Sequence, residues 1–454
     1  MLFSVVLFLA LLFFIVKIEI GRRSDLLSII LFIFFLQIIL PGIALPLLIF
    51  MGGEDLYLGN VFLDRIYHGS NGLAVVLTSL LASMFVFSLY VGYFVLSTRR
   101  VKWVEKTGRA LIIVRWRLFG VLALGVVSML YLFLSMPGAS VGDKYFNLVL
   151  FRSQHESFFD DTRNFVTSNL FSLTQTFAIS ATFLFFYLKG NQGRISKIWL
   201  AVFVVLMIFM ATFAVSRRII MIQLLVIYFA LVLKTGKWYF RRVVWVAPLA
   251  LLWLGFGKDL IWQLPQYLSG ARSEVNLEYE SPVVPILNGF SSLGISINSS
   301  WATLMFFDDP PIRFGLDHII SVARRLPLGV FGVDEDQLYG PRIVRISTET
   351  FVDGYALDIP PGLMGQMWLD FRILGPIVWG LVFGVLLRYV QVIFSRFDRT
   401  WTSCGIFAVV AFVIALPINS GSFDFSFSVD IIFLMLFMWF VVRVKNTDQF
   451  VKNR

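Results

Sequence analysis

The 454-residue chain is poor in charged residues, histidine and cysteine. Charged residues make up 15% of the sequence and apolar residues 58%, whereas a soluble domain has about 25% and about 45–50%, respectively. This composition excludes a water-soluble enzyme and an intrinsically disordered chain. The single cysteine, Cys404, excludes an intramolecular disulfide.

Several catalytic and metal-binding motifs are also missing. The sequence has no G-x-x-x-x-G-K-[ST] phosphate loop, no H-E-x-x-H motif and no G-x-S-x-G nucleophile elbow. One cysteine and three scattered histidines provide no zinc spacing. Carboxylate clusters such as Asp334–Glu335–Asp336 can bind divalent ions, but we interpret them as solvated loop charge. We therefore expect neither a metal nor a cofactor.

Long apolar runs are the main feature that is present. A membrane helix needs roughly 20 mostly apolar residues. Eleven runs approach that length, so the predicted fold class is all-α, a polytopic membrane protein with about 11 transmembrane helices. The runs are 2–17, 26–50, 73–98, 118–136, 167–188, 198–215, 219–233, 243–257, 373–393, 401–418 and 425–442.

Lysine and arginine cluster in alternate connections between these runs. Basic residues accumulate in cytoplasmic loops, and one orientation satisfies every cluster, with the N-terminus outside and the C-terminus in the cytoplasm. The basic segments are 17–25, 99–117, 189–197, 234–242, 388–400 and 443–454.

This orientation divides the chain into helical blocks and two large outer loops. Within the second outer loop, the run Ile286–Phe307 is rich in Ser, Asn and Gly, and a full crossing there would reverse the orientation. We therefore expect short amphipathic or re-entrant helices in that loop. The blocks are helices in 1–136, an outer loop at 137–166, helices in 167–257, an outer loop at 258–372, and helices with a cytoplasmic tail at 373–454.

The formal net charge of +10 has two different parts. In a soluble protein it would suggest nucleic acid, but here the predicted cytoplasmic segments carry the basic excess and the outer segments are acidic overall. Membrane insertion explains that excess, so we expect no nucleic-acid partner. Nearly all outer basic residues are arginine, which binds phosphate and carboxylate bidentately. The outer arginines are therefore candidate anion ligands.

Arg217 and Arg218 are the clearest candidates. Only 36 residues separate Lys197 from Lys234, whereas two crossings need roughly 40, so the arginine pair must lie in the outer half of the membrane. Arginine is costly there unless it is paired or faces a wet cavity. Snorkelling to lipid headgroups is the alternative explanation. We favour an anion-binding pair at the mouth of a cavity.

Further candidates come from both outer loops. His318 and Arg325 lie two turns apart on one face of a predicted helix that ends at Pro327, and Arg324 lies beside them. We take His318 as a candidate general base and the arginines as candidate ligands for pyrophosphate or glycan. The remaining candidates are Arg152, His155 and Arg163 in the first loop, and Arg342 and Arg345 in the second.

These features suit an enzyme that acts on a lipid-linked anion at the outer leaflet. A polyprenyl pyrophosphate keeps its tail in the bilayer and its pyrophosphate at headgroup depth. Arginines there would stabilise the charge that develops on the leaving group. The attacking sugar hydroxyl would need only a general base, and the donor itself would supply the energy.

Three segments resemble the bacterial O-antigen polymerase (Wzy) family over roughly residues 140–400. They are Ser216–Arg217–Arg218, Arg325–Leu326–Pro327 and the run Ile359–Gly375, IPPGLMGQMWLDFRILG. Family members carry a Pro-Pro-x-Leu-x-Gly-Glu stretch followed by an aromatic–Gly-x-x-Gly entry to the next helix. Here Gln366 stands where Glu is common, and Arg372 stands where Gly is common.

The resemblance implies an inverting, metal-independent glycosyltransferase of the GT-C type in the bacterial inner membrane. Its substrates would be undecaprenyl-pyrophosphate-linked oligosaccharides, as donor and acceptor, and a chain-length-regulating co-polymerase is a further expected partner besides membrane lipids. The resemblance makes Arg217, Arg218 and Arg325 pyrophosphate ligands. It does not supply the role of His318. Three glycines of the last motif are expected to allow close packing: Gly362, Gly365 and Gly375.

Three alternatives stay open. An O-antigen ligase would use a similar body with a different acceptor. A polyprenyl-phosphate sugar transferase would need an acid in the first outer segment, such as Glu54–Asp55, but that segment is short. A lipid-linked oligosaccharide flippase would carry charges along a central cavity, and the first five predicted helices contain no internal Asp, Glu, Lys or Arg.

Overall fold

The fold is given by a computed structural model that describes residues 2–15, 25–52, 73–94, 109–153, 165–192, 195–213, 217–268, 286, 289–290, 293–306, 312–319, 362–420 and 429–446. This part of the chain is mostly helical, which confirms the all-α part of the predicted fold class. A π-helical segment, Phe35–Ile39, joins α2 to α3, and a 3-10 turn, Arg372–Leu374, joins α12 to α13. The elements are α1 (Leu2–Phe14), α2 (Leu26–Phe34), α3 (Leu40–Gly52), α4 (Leu73–Phe94), β1 (Arg109–Ile113), α5 (Arg115–Ser135), α6 (Val141–Ser153), α7 (Phe165–Gln192), α8 (Lys197–Phe213), α9 (Arg217–Thr235), α10 (Phe240–Leu268), α11 (Ile295–Phe306), α12 (Gly362–Phe371), α13 (Gly375–Phe394), α14 (Trp401–Ser420), α15 (Val429–Val441) and β2 (Val442–Asn446).

Helices lie at all eleven predicted spans. Five helical stretches in the described residues are long and apolar enough to cross a membrane, and shorter apolar helices occupy further predicted spans. The chain thus has the helices of a membrane protein, and the crossing of all eleven stays a prediction. The five stretches are Leu26–Leu47, Leu73–Phe94, Arg115–Ser135, Gly362–Phe394 and Trp401–Ile418.

Contacts between distant segments bring the basic connections to one end of the helical bundle. The backbone N–H of Leu26 donates to Oε1 of Gln391 over 3.0 Å, and that of Asp398 donates to the carbonyl of Arg109 over 2.8 Å. Lys189 and Lys234 contact the same region. We call this the basic end, formed by 25–26, 109–117, 189–192, 195–197, 234–240, 391–401 and 441–446.

A two-stranded antiparallel sheet lies at the basic end and was not predicted from the sequence. Arg109 of β1 lies opposite Asn446 of β2, and Ile113 lies opposite Val442. Beyond the sheet, the N–H of Val114 donates to the carbonyl of Val441 over 2.9 Å. The sheet therefore ties the start of α5 to the end of α15.

Helices α4 and α13 run parallel and pack closely through glycine. A Cβ on Gly380 would lie 2.7 Å from the carbonyl oxygen of Phe85, and one on Gly384 would lie 2.3 Å from that of Leu89. Small residues four apart allow helix backbones to approach in this way. This packing fixes the axis of α13, whose N-terminal part contributes to the site described below.

The C-terminal end of the predicted outer loop 258–372 forms a buried helix, which was not expected there. Helix α12 is almost wholly buried and packs along α11. A Cβ on Gly362 would lie 2.1 Å from the carbonyl oxygen of Ser296, and one on Gly365 would lie 2.9 Å from Cβ of Thr303. The close packing expected of these two glycines is confirmed. Helix α10 also extends past the predicted end of its span, to Leu268.

Candidate functional site

A sharp chain reversal between α12 and α13 builds one half of the site. Helix α12 ends at Phe371, and Arg372 follows in the left-handed region with φ of 56°. Helix α13 then begins at Gly375, where a Cβ would lie 1.9 Å from the carbonyl oxygen of Met367, so only glycine fits without movement. The reversal brings the first turn of α13 back beside the last turn of α12.

The segment 312–319 supplies the other half and is held to the end of α12 by backbone hydrogen bonds. The N–H groups of Arg313 and Phe314 donate to the carbonyls of Leu369 and Asp370 over 3.0 and 2.9 Å. These carbonyls belong to the last turn of a helix, where intrahelical donors are missing. Phe314 has φ of 53°, a conformation that costs a non-glycine residue about 1–3 kcal/mol.

His318 and Asp370 meet at the junction of the two halves. Nε2 of His318 lies 2.9 Å from Oδ2 of Asp370, and Nε1 of Trp379 donates to the same oxygen over 2.9 Å. Nε2 of Gln366 donates to Oδ1 over 3.1 Å. Asp370 is fully buried, and these hydrogen bonds compensate its carboxylate for the loss of water. We call His318 and Asp370 the dyad.

The indole of Trp379 also fixes the ring of His318. The two ring centroids are 4.8 Å apart at an interplanar angle of 74°, an edge-to-face arrangement that aromatic pairs favour. Trp379 therefore contacts both members of the dyad, one through its N–H and the other through its ring. The imidazole is held in one orientation.

The segment 312–319 also contains an ion pair that is separate from the dyad. Nη2 and Nε of Arg313 donate to Oδ1 of Asp317 over 2.8 and 3.0 Å. Asp317 is 3% exposed and directly precedes His318 in the chain. This ion pair braces the turn that carries the histidine.

The dyad has the arrangement of a general base and its orienting group. An ionised carboxylate only accepts hydrogen bonds, so the tautomer that fits an ionised Asp370 has the hydrogen on Nε2 of His318 and the lone pair on Nδ1. When Nδ1 takes a proton, Asp370 stabilises the imidazolium that forms, as the buried aspartate of a catalytic triad does. A pair of this kind accepts a proton from a hydroxyl group that reaches Nδ1 of the histidine.

The dyad lies at the end of the bundle opposite the basic end. Trp379 precedes Gln391, a residue of the basic end, by 12 positions on the continuous helix α13, which corresponds to about 18 Å. Helix α9 begins at Arg217 and reaches the basic end near Lys234, about 26 Å away along its axis. Arg217, Arg218 and the dyad therefore share the same end.

Helix α6, which contains Arg152, also lies at the dyad's end. The Tyr145 hydroxyl donates to the carbonyl of Thr212, near the end of α8, over 3.2 Å. Ser140 and Asp143 form reciprocal hydrogen bonds of 2.9 and 3.0 Å that start this helix, and the hydrogen bonds from Ser140 hold the pKa of Asp143 below its usual value.

The other predicted site residues lie outside the described residues: His155, Arg163, Arg324, Arg325, Arg342 and Arg345.

Three residues of the site were not predicted as site residues: Gln366, Asp370 and Trp379. The sequence does contain one signal, because Asp370 is the single acid in the apolar stretch Gly362–Phe394. A buried carboxylate in such a helix needs partners. Gln366, which stands at the glutamate position of the resembled motif, supplies one of them.

No protein-family model, no curated protein and no solved structure matches the chain.

Proposed function

We propose that this protein is a glycosyltransferase that joins undecaprenyl-pyrophosphate-linked oligosaccharide repeat units into an O-antigen or related surface polysaccharide. In this proposal it acts at the periplasmic face of the bacterial inner membrane. The observation that carries the proposal is the buried His318–Asp370 hydrogen bond of 2.9 Å at the end opposite the basic end. If the basic end faces the cytoplasm, as the distribution of basic residues favours, the dyad faces the periplasm.

The proposed chemistry is attack by a sugar hydroxyl on the anomeric carbon of the donor. His318 takes the hydroxyl proton on Nδ1, a new carbon–oxygen bond forms, and the bond from the anomeric carbon to the pyrophosphate breaks. Undecaprenyl pyrophosphate leaves with the electron pair of that bond. A positioned general base of this kind accelerates a reaction by about 10²–10⁴-fold.

Arg217 and Arg218 are proposed to bind the pyrophosphate. They occupy the first turn of α9, where the positive end of the helix dipole favours an anion. Arginine adds charge and paired donors that match phosphate oxygens. Arg325, seven residues after His318 in the chain, is proposed as a second ligand from the large loop.

Exposed apolar side chains beside the dyad support a lipid-linked substrate. Phe314 is 70% exposed, Ile319 is 66% exposed and Leu374 is 59% exposed. All three belong to the two short segments that form the dyad, so apolar surface adjoins the polar cluster. Such a border between polar and apolar surface suits a substrate whose headgroup reacts while its tail stays in the bilayer.

A deletion strain separates this function from its alternatives. We expect the lipopolysaccharide or capsule ladder of that strain to collapse to a single repeat unit attached to the core. Absence of any transfer to the core would instead indicate a ligase. Lipid-linked units trapped inside the cell would indicate a flippase, and an unchanged ladder would contradict all three functions.

A further inference from the structure

The geometry of the basic end points to a second binding site, and we infer that it binds the phosphate of an anionic phospholipid headgroup. The guanidinium of Arg117 lies between two aromatic rings, 5.1 Å from the centroid of Trp116 and 4.9 Å from that of Phe440. Nη1 of Arg117 donates to the carbonyl of Phe440 over 2.7 Å. The cation is thus held in place at the seam between α5 and α15.

The depth of this seam matches the lipid headgroups. Arg117 lies in the first turn of the candidate span Arg115–Ser135, of which only 28% is buried inside the protein, so most of α5 faces outward. Trp116 is 67% exposed and Trp439 is 80% exposed. Exposed tryptophans at the end of a span are typical of the membrane–water interface.

The guanidinium of Arg117 has no carboxylate partner among the described residues. Arg115 and Arg117 occupy the first turn of α5, which contains no acid, and Val114 provides no side-chain cap. Cations at this end of a helix are unfavourable because the helix dipole is positive there. Arg443 adds an exposed cation on β2.

An anionic phospholipid supplies the negative charge that Arg117 lacks. Its phosphodiester oxygens match the planar donors of a guanidinium, and its acyl chains lie along the outward face of α5. Basic pockets between helices on the cytoplasmic side bind such headgroups in other membrane proteins. The site differs from the proposed catalytic site in residues, in ligand and in its end of the bundle.

Native mass spectrometry of the full-length protein, released from nanodiscs, tests the site with phosphatidylglycerol and phosphatidylcholine as probes. We expect the wild-type protein to retain phosphatidylglycerol in preference to phosphatidylcholine. Arg117→Gln should weaken that retention about tenfold, the effect of losing roughly 1.4 kcal/mol. Lys237→Gln, which removes an exposed cation elsewhere at the basic end, is the matched control and should retain the lipid normally.

Three outcomes would overturn the inference: equal retention of both lipids, an equal loss in Lys237→Gln, or displacement of phosphatidylglycerol by inorganic phosphate alone. Thermal unfolding checks that Arg117→Gln is folded. If Arg117→Gln does not fold, Arg443→Gln, at an exposed position of β2, is tested in its place. Arg443→Gln should lose phosphatidylglycerol to the same extent, and normal retention of this lipid would contradict the inference. Polymer formation does not enter the readout, so failure here leaves the proposed function untouched.

Discussion

Nε2 of His318 lies 2.9 Å from Oδ2 of Asp370, although the two residues are 52 positions apart in the chain. Both side chains are buried, and the carboxylate also accepts hydrogen bonds from Trp379 and Gln366. Removing one member of such a pair leaves its partner buried and unsatisfied, which costs several kcal/mol. The dyad therefore couples the stability of this end of the bundle to its proposed chemistry.

Asp370→Asn tests the orienting role of the carboxylate. An asparagine keeps the shape of the side chain, but its NH2 group must face one of the donors that now bind the carboxylate. We expect activity to fall by about 10²–10⁴-fold and the free energy of unfolding to fall by about 1–3 kcal/mol. Polymer formed per unit of membrane protein and thermal unfolding in detergent measure the two effects.

Asp398→Asn is the control for this substitution, because Asp398 lies at the basic end. It should leave polymer formation unchanged. Wild-type activity in Asp370→Asn would show that the carboxylate does not orient His318 for the reaction.

Trp379→Phe tests the hydrogen bond of the indole N–H separately from the contact of the aromatic ring. The substitution removes the 2.9 Å hydrogen bond to Asp370 but leaves a ring against His318. We expect a loss of about 1–2 kcal/mol in stability and a smaller loss of activity than in Asp370→Asn. Trp245→Phe serves as the control, since Trp245 is 82% exposed. Equal behaviour of the two variants would argue against the hydrogen bond as a support of the dyad.

Gly384→Ala tests the close packing of α4 against α13. The added Cβ would lie 2.3 Å from the carbonyl oxygen of Leu89 and 2.7 Å from the backbone nitrogen of Tyr93, so the helices must separate. We expect a loss of about 1–3 kcal/mol in the free energy of unfolding. Gly120→Ala provides the contrast, because no atom lies within 4 Å of its added Cβ, and it should be neutral or stabilising. The packing would be contradicted if both variants unfolded alike.

Arg217→Ala tests the proposed pyrophosphate ligand at the start of α9. Because the proposal places this residue on the substrate, we expect polymer formation to be lost while the amount of protein in the membrane stays the same. Arg396→Ala, an exposed arginine at the basic end, should keep full activity. A normal polymer ladder with Arg217→Ala would remove this residue from the site.

The helices were predictable because each apolar run is a local signal. Helix α4, for example, spans Leu73–Phe94 within the predicted run 73–98. The sheet was not predictable, because β1 pairs with a strand more than three hundred residues later, and no local pattern reports such a pairing. The pairing of His318 with Asp370 was not predictable for the same reason. His318 was recognised as a candidate base from its own segment, but its partner depends on the reversal at Arg372 and Gly375.

The most direct test is polymerisation by the purified protein in proteoliposomes, with the lipid-linked repeat unit extracted from the deletion strain as the only substrate. The wild-type protein should form a ladder of longer glycans and release undecaprenyl pyrophosphate. His318→Ala should be slower by about 10²–10⁴-fold, whereas His68→Ala should match the wild-type protein. No ladder from the wild-type protein, or an equal ladder from His318→Ala, would contradict a polymerase that uses His318 as its base.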